Sequence, residues 1–540
     1  MKKKLYCMRF LIVSLMIFCF WIPTGIKADE PDVFDEMGRC SLTADISDDG
    51  SSITFTIGNA VSADGFRIYV KEPGSSKFTG IKTLKNFGKK EVVYTYTVSQ
   101  TGEYVFKAKA YGNNGSGTVW GKYSKKVKAS LKAQDDTLPA SISPEGYTLQ
   151  QVVILSRHNI RAPLSTKGST LDQVTPYKWY KWSSGASELS LRGGVLETEM
   201  GQYFRKWLEN EKLIPENYHP EGEEVRFYSN SKQRTIATSR YFSAGFSPST
   251  NVEIEYHMDF DVMDPVFTPD FNFTSTRYAE DVRAQINSLF AEKVAGLESN
   301  FELMAGVLDM KKSDLYKDYK FSKDFNISVN LGAEPGTDGS LKLGTQISDA
   351  LVLQFYEEEN PQKAAFGKDL TIEQWAQISE IKDLYGDVLF TAPIVAANVA
   401  YPLVKEIYSE MNTEGRVFTF LCGHDSNLGS VLSALNVKDY ALPYAIEKKT
   451  PIGSKLVFSK WTDRKGRTYW SVDMVYQSVE QLRTQPILDL NNPPVIYHME
   501  FSGIKQNKDG LYRDKDIKKL FTYAFNNYEA LYNEYIEDAA

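Results

Sequence analysis

Residues 38–130 show a hydrophobic pattern with a period of two, which is typical of β-strands. Apolar and polar side chains alternate in residues 53–57 and 66–70, and β-branched and aromatic residues dominate residues 92–98 and 104–111. Clusters of Gly, Asn and Ser separate these segments. Several short strands at this spacing predict a small all-β sandwich module.

A polar segment, residues 131–146, predicts a linker, and the hydrophobic pattern changes after it. The apolar run at residues 152–155 predicts a buried strand. Apolar side chains then recur every three or four residues from Leu196 to Trp207, which is the pattern of one helix face. The helical pattern returns at residues 279–310.

Further helices are predicted at residues 351–356 and 372–389, and another across residues 395–407, where Pro402 should cause a kink. Strand patterns then return at residues 455–459 and 470–476. The fold class predicted for residues 147–535 is therefore an α/β domain, with a large helical cap insertion within about residues 165–410.

Chemically active residues follow three of the predicted strands. Arg157-His158-Asn159-Ile160-Arg161 follows the first, Arg234 lies shortly after an apolar pair at residues 227–228, and His424-Asp425 follows an apolar run that begins at residue 417. Open α/β sheets bind ligands at the carboxyl ends of their strands. The pattern indicates a histidine nucleophile in an arginine-lined anion site, although a partly buried His between surface arginines would give the same sequence.

Composition narrows the class of protein. With 540 residues the chain is too long for one ordinary domain, and 42% hydrophobic and 24% charged residues are ordinary for a globular protein. The net charge of -7 argues against a nucleic-acid partner.

Residues 1–28 predict a signal peptide. Lys2-Lys3-Lys4 gives a positive start, residues 10–22 form an apolar run too short to span a bilayer, and Ile26-Lys27-Ala28 is a suitable cleavage site. Cleavage would give a secreted protein that is extracellular or at the cell surface, or periplasmic if the source has an outer membrane, with no membrane attachment. An uncleaved N-terminal anchor is the alternative.

Cysteine usage predicts neither a disulfide framework nor a metal site. Cys7 and Cys19 would leave with the signal peptide, so only Cys40 and Cys422 remain. The sequence contains no cluster of Cys and His at the spacing of a zinc site.

The three motifs together resemble those of the histidine acid phosphatases. Arg-His-x-x-Arg-x-Pro at residues 157–163 is combined with Gln233-Arg234-Thr235 and with His424-Asp425. Most of these enzymes have Gly after the nucleophilic His, whereas this chain has Asn159, and that variant together with His-Asp-Ser-Asn resembles the bacterial glucose-1-phosphatase branch. Shorter matches carry the resemblance from about residue 150 to about residue 520.

The first module resembles a fibronectin type III module in Gly102-Glu103-Tyr104 and Trp120-Gly121-Lys122-Tyr123-Ser124. Nothing in it suggests catalysis. We expect a spacer, with cell-wall or glycan contact as the alternative.

The family resemblance implies a role for each residue at the three strand ends. His158 would attack phosphorus and form a phosphohistidine, and Asp425 would protonate the leaving oxygen and then accept a proton from water. The phosphate oxygens would be bound by Arg157, Arg161, Arg234 and His424. No metal or cofactor is required, because these side chains supply the positive charge.

Two further residues are predicted to bind substrate. Glu357 occupies the place of a sugar-contacting Glu in the glucose-1-phosphatase branch, although three successive acids are also typical of a solvated helix end. Asn159 either tolerates a left-handed backbone where the family has Gly, or contacts the phosphate, or orients His158.

The predicted function is a secreted acid phosphomonoesterase acting on glucose 1-phosphate or related sugar phosphates, whose partner is therefore a small phosphomonoester. The alternative is a phytase-like inositol-phosphate phosphatase, which Lys167, Lys178 and Lys181 would favour if they reached the pocket. A non-catalytic surface binding protein is a third interpretation, weakened because no expected chemical group is missing.

Overall fold

The computed structural model describes residues 37–46, 52–60, 63–86, 90–97, 101–113, 117–131, 143–164 and 169–536. The chain divides into two compact units, Met1–Thr137 and Leu138–Ala540. The predicted signal peptide and most of the predicted linker lie outside the described residues.

The described part of the first unit consists of β-strands in two antiparallel sheets. The strands are β1 (Ser41–Ile46), β2 (Ser52–Gly58), β3 (Gly65–Lys71), β4 (Thr79–Lys85), β5 (Glu91–Thr97), β6 (Gly102–Asn113), β7 (Thr118–Trp120) and β8 (Val127–Leu131). One sheet has the order β1-β2-β5, and the other has the order β4-β3-β6-β7, with β8 also paired to β6.

One hydrophobic cluster contains side chains from both of these sheets. It includes Ile53 and Phe55 of β2, Phe66 and Ile68 of β3, and Phe106 of β6, each of which is at most 1% exposed. Alternate residues of β3 and of most of β6 are buried, so the period of two in their sequence is the period of the core-facing side chains. The predicted strands are present; their arrangement as a fibronectin-type sandwich stays a prediction.

The second unit begins with strand β9 and continues through a long, mostly helical stretch. Its elements up to residue 411 are β9 (Tyr147–Arg157), α1 (Thr170–Gln173), α2 (Leu191–Asn210), β10 (Val225–Ser229), α3 (Gln233–Phe246), α4 (Thr276–Gly296), α5 (Glu298–Val307), a 3-10 helix (Met310–Lys312), β11 (Ile327–Ser328), β12 (Gly336–Thr337), α6 (Gly339–Glu357), α7 (Pro361–Ala364), α8 (Ile372–Phe390), α9 (Pro393–Val399) and α10 (Tyr401–Met411).

Strands return in the last part of the second unit. Its remaining elements are β13 (Phe418–Gly423), α11 (Asp425–Ala434), β14 (Lys455–Asp463), β15 (Thr468–Tyr476), α12 (Val479–Thr484), β16 (Val495–His498), β17 (Tyr512–Arg513) and α13 (Asp514–Ile536).

The central sheet of this unit has the order β10-β13-β9-β14-β15-β16, with β17 also paired to β15. Strands β10, β13 and β9 are parallel, and β14 runs antiparallel to β9. The adjacent strands β10 and β13 are separated in sequence by helices α3 to α10, which agrees with the predicted α/β domain interrupted by a helical insertion.

Strand β9 is buried on both faces, which explains why its sequence is a continuous apolar run. Val153 and Leu155 belong to a hydrophobic cluster that includes side chains of α10, α11 and α13. Val152 and Ile154 belong to another cluster, formed with side chains of α2 and α3. Helices therefore cover both faces of the sheet near the carboxyl end of β9.

The helical run is interrupted just before Pro402, where the sequence predicted a kink. Helix α9 stops at Val399, and α10 starts at Tyr401 with Pro402 in its first turn, where a missing N–H leaves no hydrogen bond unmade. Among the described residues, no helix is both long and apolar enough to cross a membrane.

Candidate active site

The carboxyl ends of three neighbouring parallel strands lie side by side at one edge of the sheet. The main-chain N–H of His158 donates to the carbonyl of Gly423 at 3.0 Å, and that of Asn230 donates to the carbonyl of Cys422 at 2.9 Å. The segments that follow β9, β10 and β13 are therefore adjacent, as expected for the ligand-binding edge of an α/β sheet.

His158 is held as a neutral imidazole with one nitrogen available. Its side chain is buried, and burial together with the charges of Arg234 and Arg161 holds its pKa well below the usual value. The Nδ1 atom lies 2.8 Å from the carbonyl oxygen of Asn159. Because a carbonyl only accepts hydrogen bonds, Nδ1 carries the proton and the lone pair remains on Nε2.

Two arginines place positive charge on the same cavity as His158. Arg161 donates to Asp349 at 3.0 Å, and Arg234 donates to Ser187 at 2.7 Å. Burial, together with the charge of Arg161, lowers the pKa of Arg234 to about 10. Two positive charges on one cavity repel each other until an anion binds between them, so the arrangement is suited to binding a phosphate group.

His424 adds a hydrogen-bond donor to this anion site. Its Nε2 lies 2.8 Å from the amide nitrogen of Asn230, whose oxygen accepts from the N–H of Asp264 and so fixes the amide orientation. Burial and the charge of Arg234 hold the pKa of His424 well below its usual value. The neutral ring therefore carries its proton on Nδ1, which is 3.5 Å from a guanidinium nitrogen of Arg234. The Nδ1–H of His424 and the guanidinium of Arg234 are both hydrogen-bond donors, and at this separation both can donate to the same anion.

Asp425 is the first residue of α11 and contacts two cations. Its Oδ2 lies 3.3 Å from Arg157 and 3.3 Å from Lys382, and its side chain keeps 40% of its surface exposed. Burial opposes ionisation, but Arg157 and Lys382 outweigh it and hold the pKa of Asp425 well below its usual value. In the ligand-free protein this carboxyl group is therefore ionised.

Lys382 and Glu447 were missed by the sequence analysis. Glu447 is fully buried and accepts from Arg157 at 2.7 Å, from Lys382 at 2.8 Å and from the N–H of Ile452 at 3.0 Å. It therefore holds in place the two cations that contact Asp425. The one sequence signal for Glu447 is its position just before the Thr-Pro-Ile-Gly motif at residues 450–453.

Arg157 lies behind the cavity, in contrast to the other predicted phosphate ligands. One guanidinium nitrogen donates to Glu447 and to the carbonyl of Thr450, and the other contacts Asp425. Arg157 is not among the residues that line the cavity, whereas His158, Arg161, Arg234, His424 and Asp425 are.

Asn159 orients the histidine and does not line the cavity. Its backbone is not left-handed, so that explanation for the replaced Gly is wrong. The side-chain amide donates to Glu197 at 2.8 Å, its oxygen accepts from the N–H of Ile160, and its main-chain carbonyl faces the His158 ring. Glu197 is in turn paired with Lys455 at 3.0 Å, and both side chains are fully buried.

Glu357 does not lie at this cavity, so the structure does not support the predicted sugar contact. It is near the end of α6 and accepts from Ser190 at 2.7 Å. The cavity around His158 measures about 820 Å³, and the acidic side chains that line it near the phosphate site include Glu334, Asp349 and Asp383. Burial, with the charges of Asp270 and Asp425, raises the pKa of Glu334 to about 6.

Two of the three predicted lysines lie away from this cavity. Lys178 and Lys181 line a second cavity of about 370 Å³, and Lys167 is outside the described residues. Within the part of the chain that the structure describes, no group of three or more His, Cys, Asp and Glu side chains could hold a metal ion.

The geometry agrees with comparisons to known proteins. A family model described as histidine phosphatase superfamily, branch 2, matches residues 148–477. The chain belongs to this superfamily. The predicted family is therefore confirmed, and the second unit is a phosphatase with the histidine phosphatase fold.

Three relatives illustrate the similarity. A glucose-1-phosphatase of Salmonella typhimurium is 38% identical over 381 residues, covering 69% of this chain and 91% of the relative. A glucose-1-phosphatase of Providencia rettgeri is 35% identical over 398 residues, covering 72% and 94%. The structure of Hafnia alvei phytase in complex with tartrate has a TM-score of 0.65 and 26% identity, covering 71% of this chain and 98% of the phytase.

Proposed function

We propose that this phosphatase hydrolyses sugar phosphates such as glucose 1-phosphate through a phosphohistidine at His158. The observation that carries the proposal is the neutral His158 with its Nε2 lone pair, in a cavity lined by Arg161, Arg234 and His424. Two relatives of more than 30% identity are glucose-1-phosphatases.

The first chemical step transfers the phosphoryl group to the enzyme. The Nε2 lone pair of His158 forms a bond to phosphorus while the bond from phosphorus to the sugar oxygen breaks. Arg161, Arg234 and the Nδ1–H of His424 neutralise the charge on the non-bridging oxygens. Asp425 gives its proton to the departing sugar oxygen, so that the sugar leaves as a neutral alcohol.

The second step returns the enzyme to its starting state. A water molecule loses a proton to the Asp425 carboxylate and attacks phosphorus, and the bond between phosphorus and Nε2 breaks. Inorganic phosphate is released, His158 regains its lone pair, and Asp425 releases its proton to solvent once the phosphate has left the neighbouring cations.

Asp425 must gain a proton before the first step, since it is ionised in the ligand-free protein. A bound phosphate ester brings negative charge to the cations that hold the pKa of Asp425 down. Its arrival therefore raises the pKa of this carboxyl group, and a proton taken up with the substrate becomes the one donated.

The nucleophile is tested by replacing His158 with Ala, which should abolish turnover of an aryl phosphate. In the native protein, samples that are denatured during turnover and kept alkaline, because the bond from phosphorus to the histidine nitrogen is labile in acid, should contain one phosphoryl group on the peptide that carries His158, detectable by mass spectrometry. A chelating agent should leave the rate unchanged. Turnover by the variant, or loss of the native rate with the chelator, contradicts the mechanism.

Glu334 is our candidate for contact with the sugar, in place of Glu357. It lines the cavity near Asp425, and its carboxylate can accept hydrogen bonds from sugar hydroxyl groups. Above its pKa of about 6 this group is ionised, and its charge then opposes phytate, which carries several phosphate groups, so the preference for the sugar phosphate is expected in that pH range.

Competition between glucose 1-phosphate and phytate measures this preference directly. We expect a higher kcat/KM for glucose 1-phosphate, a smaller ratio in Glu334→Gln and an unchanged ratio in Glu357→Gln, the matched control. If the native enzyme prefers phytate, the phytase-like alternative is correct. The size of the cavity, with Lys293 and Lys342 among its lining residues, is the observation that keeps that alternative open.

For the first unit we propose a fibronectin-type β-sandwich on a secreted protein. The buried cluster shared by its two sheets supports the sandwich, and the pattern of residues 1–28 supports export. Mass spectrometry of the protein from culture medium tests export. A mature chain that begins just after Ala28 is expected, and retention of residues 1–28 contradicts cleavage.

A further inference from the structure

The larger sheet of the first unit carries a layer of cationic and aromatic side chains on the face opposite its core. Side chains of a strand alternate between the two faces of a sheet, and on β3 and β6 every second residue is in the core. The remaining side chains form what we call the cation–aromatic face, with contributions from adjoining loops. It consists of Tyr69, Phe78, Lys107, Lys109, Trp120 and Tyr123.

Lysine ammonium groups lie directly over aromatic rings on this face. The Nζ atom of Lys107 is 3.6 Å from the ring centroid of Tyr123 and 4.3 Å from that of Phe78. The Nζ atom of Lys109 is 4.3 Å from the ring centroid of Trp120. A cation–π contact helps to hold each ammonium group in place.

Positive charge extends beyond these six residues. Arg67 is exposed on β3, and Lys128 on β8 is exposed and opposite Val105 of β6, which puts it on the same face as Lys107. Residues 37–131 contain fourteen Lys and Arg but seven Asp and Glu, whereas the whole chain has a net charge of -7. Residues 37–131, which include both sheets, are therefore a basic segment of an acidic protein, and this charge favours an anionic partner.

We propose that the cation–aromatic face binds an acidic polysaccharide. Carboxylate or phosphate groups of such a polymer pair with the exposed cations Arg67 and Lys128, while its sugar rings lie against Tyr123 and Trp120. Single-stranded nucleic acid fits less well, because its bases stack on open ring faces and here ammonium groups cover them. Twelve of the fourteen cations of residues 37–131 are also Lys, whereas nucleic-acid sites favour Arg.

Retention of the full chain on an immobilised polyuronate tests this proposal. We expect binding to an alginate gel at low salt, release as sodium chloride is raised, and passage through a neutral dextran gel. The double variant Arg67→Glu with Lys128→Glu should elute at clearly lower salt. The control Lys82→Glu with Lys90→Glu makes the same change in net charge, with Lys82 opposite a core residue of β3 and Lys90 next to the smaller sheet.

Each result decides the question. Earlier elution of the first variant alone supports the proposal, provided that both variants keep the circular dichroism spectrum and the thermal unfolding of the native protein. Equal shifts of the two variants mean that net charge alone is responsible and overturn it. Stronger retention on single-stranded DNA than on alginate, or equal binding to dextran, overturns it as well.

Discussion

At the scale of single residues, the protonation state of Asp425 is set by two cations that reach the same carboxylate oxygen. Arg157 and Lys382 each lie 3.3 Å from Oδ2, and buried Glu447 fixes both of them. A general acid works best when its pKa lies near the working pH. Lys382 lines the same cavity, and we expect it to act on the reaction through the pKa of Asp425.

Replacing Lys382 with Met should move the alkaline limb of the kcat profile to higher pH. An acid catalyst is lost as pH rises through its pKa in the substrate complex, and removing a neighbouring cation raises the pKa of Asp425. Activity should thus persist further into the alkaline range, even if the maximal rate falls.

The matched control is Lys438→Met, which removes another cavity lysine, one that is paired with Glu500. Its profile should equal that of the native enzyme. An alkaline limb that stays in place or moves to lower pH in Lys382→Met would show that Lys382 does not set the pKa of Asp425.

At the scale of secondary-structure elements, one buried ion pair joins three of them behind the nucleophile. Glu197 on α2 pairs with Lys455 on β14, and Lys455 also donates to Ser156 on β9 at 3.2 Å. Asn159 donates a hydrogen bond to Glu197, so the ion pair also fixes the position of the loop that carries His158.

Lys455→Met should destabilise the protein by about 3–5 kcal/mol, because it leaves the Glu197 carboxylate buried without its cation. The double variant Lys455→Met with Glu197→Gln removes both charges and should lose less. Urea unfolding of the two variants measures the difference. A double variant that is less stable than Lys455→Met would mean that Glu197 has a stabilising role apart from this ion pair.

At the scale of the whole molecule, the two units have separate hydrophobic clusters, and the residues of the candidate site all belong to the second unit. Deleting residues 29–140 should therefore leave kcat/KM on a small soluble phosphate ester nearly unchanged. Steady-state kinetics of the truncated chain, with circular dichroism to check folding, tests this expectation. A large drop in a folded protein would mean that the first unit helps to build the site.

The sequence could predict what depends on local patterns. The apolar run before His158 and the polar residues after it identified a strand end, and parallel strands then required the three motifs to meet. Lys382 could not be predicted in this way, because a lysine within an amphipathic helix resembles a solvated residue until the fold places it beside Asp425. The predicted sugar contact of Glu357 is not supported by the structure, because the position of a residue within a motif does not determine which cavity its side chain faces.

The order of strands in the central sheet has a consequence for biosynthesis. Strand β13 lies between β9 and β10 in space but follows both in sequence, after the whole helical insertion. During translation the chain therefore presents two strands whose shared neighbour does not yet exist, each with open hydrogen-bonding groups and apolar surface. The sheet can be completed only after the ribosome has synthesised residue 423, so this unit folds late in synthesis. Until then, the exposed strands of the nascent chain must be protected from aggregation, for example by a chaperone.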